Sequence, residues 1–199
     1  MKKIWLSALT VALVSTGALT TASAEPQDVK IVDFTYAGTG CPAGSVGASI
    51  SDDRDSLIVL FDSFVAKIPP GSFDRKNCQL AIKLRFDPSW SFTLVRVDYR
   101  GFAALKPGSW GQEKSTYFFQ GVPPAGDASA QTTIYGPYIG DYARSDNLGL
   151  HLWSPCTGTS KTLVINSQVR VQGTEAQMTV DSITGKVVHV YSLDWRRCP

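Results

Sequence analysis

From Cys78 to Phe86 the chain alternates with period two: Leu80, Ile82, Leu84 and Phe86 fall on one side, and Ala81, Lys83 and Arg85 on the other. Successive side chains leave opposite sides of a pleated strand, so this pattern specifies a β-strand with one buried face. The alternation returns over Thr162–Gln172, with Leu163, Ile165, Val169 and Val171 inward and Asn166, Gln168, Arg170 and Gln172 outward. No stretch after residue 24 repeats apolar residues at helical spacing for more than a turn. About ten short strands, with Gly, Pro, Asn or Asp turns roughly every ten to fifteen residues, make the chain all-β. The expected architecture is a single antiparallel β-sandwich, or a partly open barrel, with two disulfides.

Several segments carry more specific signals. Val29–Tyr36 is a first strand with imperfect alternation. The unbroken apolar run Leu57–Phe61 predicts a strand covered on both faces. Ile68-Pro69-Pro70-Gly71 breaks the ladder, because proline cannot donate to it. In Ser91–Tyr99 the phase changes, with Phe92 and Leu94 on one side and Val95, Val97 and Tyr99 on the other, as a β-bulge would produce. Further strands are predicted over Thr116–Gln120, Thr132–Ile139 and Leu148–Trp153. Gln177–Ile183 and Val187–Trp195 read as a closing hairpin through Thr184-Gly185-Lys186. Val122-Pro123-Pro124-Ala125-Gly126-Asp127 is short enough to be a loop within one domain.

The first residues read as an export signal. Lys2 and Lys3 precede a mostly apolar run from Ile4 to Leu19, and Ala22-Ser23-Ala24 has the small-x-small pattern of a cleavage site. Cleavage after Ala24 predicts a mature, extracellular chain of residues 25–199, folded as one domain, with no further stretch able to span a bilayer. That chain holds 17 basic and 17 acidic residues. Such neutrality argues against nucleic acid, which is bound chiefly through clustered lysine and arginine. Arg196-Arg197 is expected to be a solvated chain end. Four cysteines in an exported chain imply two disulfides, for which sequence permits three pairings. Cys41–Cys78 with Cys156–Cys198 is favoured, since each pair brackets a compact block of strands.

Little in the sequence announces catalysis. Gly38-Thr39-Gly40-Cys41-Pro42-Ala43 has the letters of a dinucleotide fingerprint, but no helix follows to meet a pyrophosphate. The acidic turn Asp52, Asp53 and Asp55 offers oxygen ligands of the kind calcium takes, although Arg54 interrupts it and a solvated turn is the simpler reading. His151 and His189 are the only histidines, and the GxSxG elbow is absent. A two-carboxylate glycosidase requires a spacing that sequence cannot place. No cofactor is expected.

Aromatic residues are the stronger candidates. Trp90, Trp110 and Trp153 fall at or near predicted loops, and Tyr135, Tyr138 and Tyr142 cluster between strands. Exposed aromatic faces on a neutral β-sandwich suit sugar rings or a protein partner. The competing expectation is that they plug the ends of the sandwich. The first reading is therefore a non-catalytic module binding an extracellular glycan or protein. The alternative is a hydrolase acting on an extracellular polymer.

Gly40-Cys41-Pro42, Ser51-Asp52-Asp53, the Leu57–Phe64 block and Asn77-Cys78, with the late Cys156 and Cys198, give the chain a further likeness. Together with the export signal they resemble a secreted family known as domain of unknown function 4360. The resemblance covers most of the mature chain and implies an exported, β-rich, disulfide-bonded domain. It brings no reaction, cofactor or catalytic residue to carry over.

Overall fold

In the computed structural model, which describes residues 26–68, 72–122, 129–148, 153–157, 162–180 and 187–199, the chain forms two antiparallel sheets packed face to face. The strands are β1 (Lys30–Ala37), β2 (Val46–Ile50), β3 (Ser56–Phe61), β4 (Val65–Ile68), β5 (Ser72–Arg85), β6 (Trp90–Leu105), β7 (Trp110–Phe119), β8 (Ser129–Tyr135), β9 (Tyr138–Asn147), β10 (Leu163–Gly173), β11 (Ala176–Thr179) and β12 (Val187–Arg197). One sheet has the order β1-β5-β10-β7-β8. The other has the order β2-β3-β12-β6-β11-β4, with β9 on the remaining edge of β6. The sheets do not close into a barrel.

The core fills the space between the sheets and follows from the alternation. Leu80, Ile82 and Leu84 of β5 and Leu163, Ile165, Val169 and Val171 of β10 meet Leu57, Val59 and Phe61 of β3 and Phe92, Leu94 and Val97 of β6. At one end the rings of Phe86, Phe92, Phe119 and Trp195 contact one another with centroids 5.3–5.6 Å apart, mostly edge-on. Tilted and edge-on contacts suit the ring quadrupole better than face-to-face stacking.

Two irregularities explain the broken patterns. In β1 the register against β5 shifts between Ile31 and Asp33, so Val32 is the extra residue and is exposed. Ile31, Phe34 and Tyr36 consequently all pack on the core. In β6 the register against β12 skips Val95, the bulge anticipated within Ser91–Tyr99. Val95 turns outward rather than joining Val97 and Tyr99, and its carbonyl accepts the Leu148 amide.

Other elements differ from the sequence reading. β3 is buried on one face only, with Ile58 and Leu60 half-covered on the other. The predicted strand Thr132–Ile139 is two strands, β8 and β9, separated at Gly136-Pro137, where the chain passes from one sheet to the other. A side chain at Gly136 would meet the Lys106 carbonyl oxygen at 2.1 Å, so the crossing requires glycine. β11 and β12 do not form a hairpin with each other. Both lie along the same edge of β6, one beyond the other, because β11 pairs with residues 102–105 and β12 with residues 90–98. Residues 181–186, where a connecting turn was expected, lie outside the described residues, as do the export signal (residues 1–24) and most of Leu148–Trp153.

The disulfides are Cys41–Cys78 and Cys156–Cys198. The first ties the loop after β1 to β5 and is buried, and the second ties the C-terminus to the segment after residue 153. Arg196 and Arg197 do more than solvate that end. Their guanidinium groups sit over Trp153 at 4.1 Å and Trp90 at 4.3 Å, so each cation covers an indole face.

Candidate functional site

The outer face of the five-stranded sheet carries a shallow groove of about 610 Å³. Its walls and floor come from outward positions of β5, β10, β7 and β8, and register sets them in rows across the strands. Gln79, Asn166, Thr116 and Ser129 form one row, and Asn77, Gln168, Lys114 and Gln131 the next. Arg75, Arg170, Gln112 and Thr133 follow, and Phe73, Gln172, Trp110 and Tyr135 make up the last. A second hollow of about 420 Å³ continues across β1 past Thr35 and Ala37, sharing Asn77 and Gln79. Five strands at the usual spacing give the face a width of about 19 Å. Among the described residues, amides, hydroxyls and three cations line the 610 Å³ groove, and no aspartate or glutamate does.

The aromatic row has distinct parts. Tyr135 is 72% exposed and Phe73 51% exposed, so both rings present open faces. Trp110 lies directly opposite Tyr135, but Arg170 sits over its ring at 5.0 Å from the centroid. The Arg170 guanidinium therefore covers one face of the Trp110 indole. Beneath them the Gln112 side-chain amide donates to Thr133 Oγ1 at 2.9 Å.

The other sequence candidates lie elsewhere. Tyr138 is half-buried and its hydroxyl donates to the Asp141 carbonyl at 2.7 Å. Trp153 sits under Arg196 near the second disulfide. Tyr142 presents no face to a ligand, being 3% exposed between the sheets: it lies across Gly101, its partner on β6, and its hydroxyl reaches the Thr179 carbonyl at 2.8 Å. The acidic turn stays local. Asp53 Oδ1 accepts from the Ser51 hydroxyl and the Asp55 amide, and these bonds hold its carboxyl below the usual range. Among the described residues no group of three His, Cys, Asp or Glu side chains is placed to hold a metal ion.

A second polar cluster is sealed in the interior. Glu113 of β7 and His189 of β12 are 3% and 1% exposed, with Oε1 and Nε2 3.3 Å apart. That is ion-pair range, although the angle falls outside hydrogen-bond geometry. Glu113 Oε2 lies 3.2 Å from the Tyr142 hydroxyl, and His189 Nδ1 lies 3.1 Å from that of Tyr191. Tyr99 donates to Asp146 at 2.7 Å. Burial raises the phenol pKa of Tyr99, Tyr117, Tyr142 and Tyr191, and the Glu113 carboxyl adds to the rise. Glu113, His189, Tyr142 and Tyr191 are closed to solvent, Asp146 is partly exposed, and the Glu113–His189 pair spans the two sheets. His151 lies outside the described residues.

Sequence reasoning singled out Trp110 and Tyr135 but passed over the amides and cations beside them. The outward set Asn166, Gln168, Arg170 and Gln172 was visible as one face of a strand. Its neighbours on β5, β7 and β8 become visible only through the pairing register.

Known proteins resemble the chain to different degrees. An "Uncharacterized secreted protein" of Arthroderma benhamiae is 40% identical over 183 residues, covering 87% of this chain and 74% of its own. Among solved structures, TmCBM61 in complex with beta-1,4-galactotriose is 9% identical with a TM-score of 0.25, over 84% of this chain and 90% of that one. The enzymatically active domain of bacteriophage CBA120 tailspike protein 4 is 16% identical with a TM-score of 0.27, over 84% of this chain and 20% of that one. At these scores neither structure bears on the groove. The protein is secreted, as its relative is. A family described as Domain of unknown function (DUF4360) matches residues 27–198, nearly the whole folded chain, and the chain belongs to that family.

Proposed function

We propose that this secreted sandwich is a glycan-binding module, folded as one domain of residues 25–199 once the export signal is removed, and that the groove on its five-stranded sheet is the binding site. The observation that carries the reading is the make-up of that face: three rows of amides, hydroxyls and cations ending in a row that holds Phe73, Trp110 and Tyr135. Sugars present hydroxyls around their rim and apolar C–H faces, so they need many fixed donors and acceptors beside a ring to lie on. The face is built on strands, which hold their side chains more rigidly than loops do. Its width accommodates several sugar rings in a chain.

The hydrolytic alternative requires an acid and a base or nucleophile flanking the scissile bond. Among the described residues no carboxylate lines this groove, and the buried Glu113 is closed to solvent, which favours binding over turnover. A glycan array probed with wild-type protein and with Tyr135→Ala tests the reading. Tyr135 is exposed, so its loss leaves the fold intact while retention on bound glycans falls at least severalfold. Equal retention by the variant, or binding to protein ligands alone, would overturn the assignment.

A further inference from the structure

Resting on that reading, we infer that the glycan taken by the groove is acidic: a polysaccharide whose rings carry carboxylates. Arg75 and Arg170 are direct cross-strand partners on the outer face, and Lys114 projects in the adjacent row. Like charges placed directly opposite in a sheet are destabilising. Among the described residues no carboxylate lies within ion-pair range of Arg75, Lys114 or Arg170 to relieve them. The mature chain as a whole is balanced, with as many acidic as basic residues, so a groove whose described residues include three cations and no acid is a local excess. Elsewhere on the same face Lys83 does have an acid opposite it, Asp33.

Arg170 is also held ready. Its guanidinium rests over Trp110, and its Nε is buried without a hydrogen-bond partner. A planar guanidinium fixed on an indole presents its remaining N–H groups as a fork, the geometry that takes a carboxylate through two parallel hydrogen bonds. A ligand carboxylate over Arg75 and Arg170 relieves their mutual repulsion. The flanking Asn77, Gln168 and Gln131 remain for ring hydroxyls.

Calorimetry on the mature protein with matched oligomers tests this. The acidic set is tetramers of α-1,4-galacturonate, β-1,4-mannuronate and β-1,4-glucuronate. The neutral set is cellotetraose and β-1,4-galactotetraose, and a sulfated glycan, single-stranded DNA and inorganic phosphate complete the panel. At least one uronate is expected to bind roughly tenfold or more tightly than either neutral oligomer, as charge-assisted hydrogen bonds warrant, with an affinity that falls as salt rises. Arg75→Gln and Arg170→Gln should each remove most of that preference. Lys114→Gln, at an exposed position with no packing role, should weaken uronate binding severalfold without lowering the melting temperature. Arg170→Lys, which keeps the charge and loses the fork, should fall near Arg170→Gln. Neutral oligomers binding as well as uronates would overturn the acidic-ligand inference and leave the glycan reading standing. Binding of none of the sugars, or of DNA or phosphate alone, would overturn both, and preference for the sulfated glycan would overturn the assignment to carboxylates.

Discussion

Glu113→Leu is the most informative single change in the interior. Glu113 and His189 come from opposite sheets, and both are withdrawn from water. Removing the carboxylate leaves His189 Nε2 facing an apolar side chain, while Tyr142 keeps the Thr179 carbonyl as acceptor. Orphaning a buried polar group costs about 1–3 kcal/mol, and breaking a buried ion pair about 3–5 kcal/mol. The two ranges meet at about 3 kcal/mol, which in a domain of this size lowers the melting temperature by roughly 6–12 °C. His189→Phe should cost a similar amount by stranding the carboxylate. A ring is retained there against Phe61, whose centroid lies 5.2 Å from that of His189, and Tyr191 keeps Ser167 as a neighbour. The double change replaces both partners by apolar groups and should be no worse than either single one, giving a coupling energy of about 3 kcal/mol. Urea unfolding at neutral pH, followed by tryptophan fluorescence with a constant m-value, measures all three. Additive single effects would show that the pair contributes nothing as a pair and would refute the account of the sealed cluster.

Four further outcomes are expected. Gly101→Ala should destabilise by about 1–3 kcal/mol, as overpacking does, because its Cβ would come within 2.1 Å of the Thr179 carbonyl and 2.5 Å of the Tyr142 hydroxyl; an unchanged denaturation midpoint would count against the packing described. Removing Cys41–Cys78 as a pair should cost about 4 kcal/mol on chain-entropy grounds for its 37-residue separation, read by denaturation of the double serine variant. The buried phenols' contribution to stability should be full below pH 10 and fall as the pH climbs past the ordinary tyrosine value of 10.0, because burial raises the pKa values of Tyr99, Tyr117, Tyr142 and Tyr191 and they resist the ionisation that the unfolded chain undergoes; phenolate absorbance from more than three of the seven tyrosines before unfolding would contradict this. Material recovered from the culture medium should begin at Glu25, which intact mass decides, and a species retaining residues 1–24 would refute the cleavage site.

The residues of β5 and β10 show how much of the fold was legible beforehand. Period two follows from local backbone geometry, so Leu80, Ile82, Leu84, Leu163, Ile165, Val169 and Val171 could be assigned to the core without knowing what they touch. The bulge at Val95 was legible for the same reason, since an extra residue inverts the phase on one side of it. The two disulfides followed from an even cysteine count in an exported chain and from the strand blocks between them. Pairing beyond neighbours in sequence was not legible. β11 and β12 looked like a hairpin because their patterns adjoin, yet long-range packing places both along β6. Burial of Tyr142 likewise depended on what the opposite sheet supplied. The groove is the clearest case: Arg75, Lys114 and Arg170 are 39 and 56 residues apart in sequence and look like ordinary outward strand positions. Hydrophobic patterning fixes which face a side chain takes, but only the hydrogen-bonded register between distant strands decides which outward residues become neighbours, and with them the charge and shape of the surface.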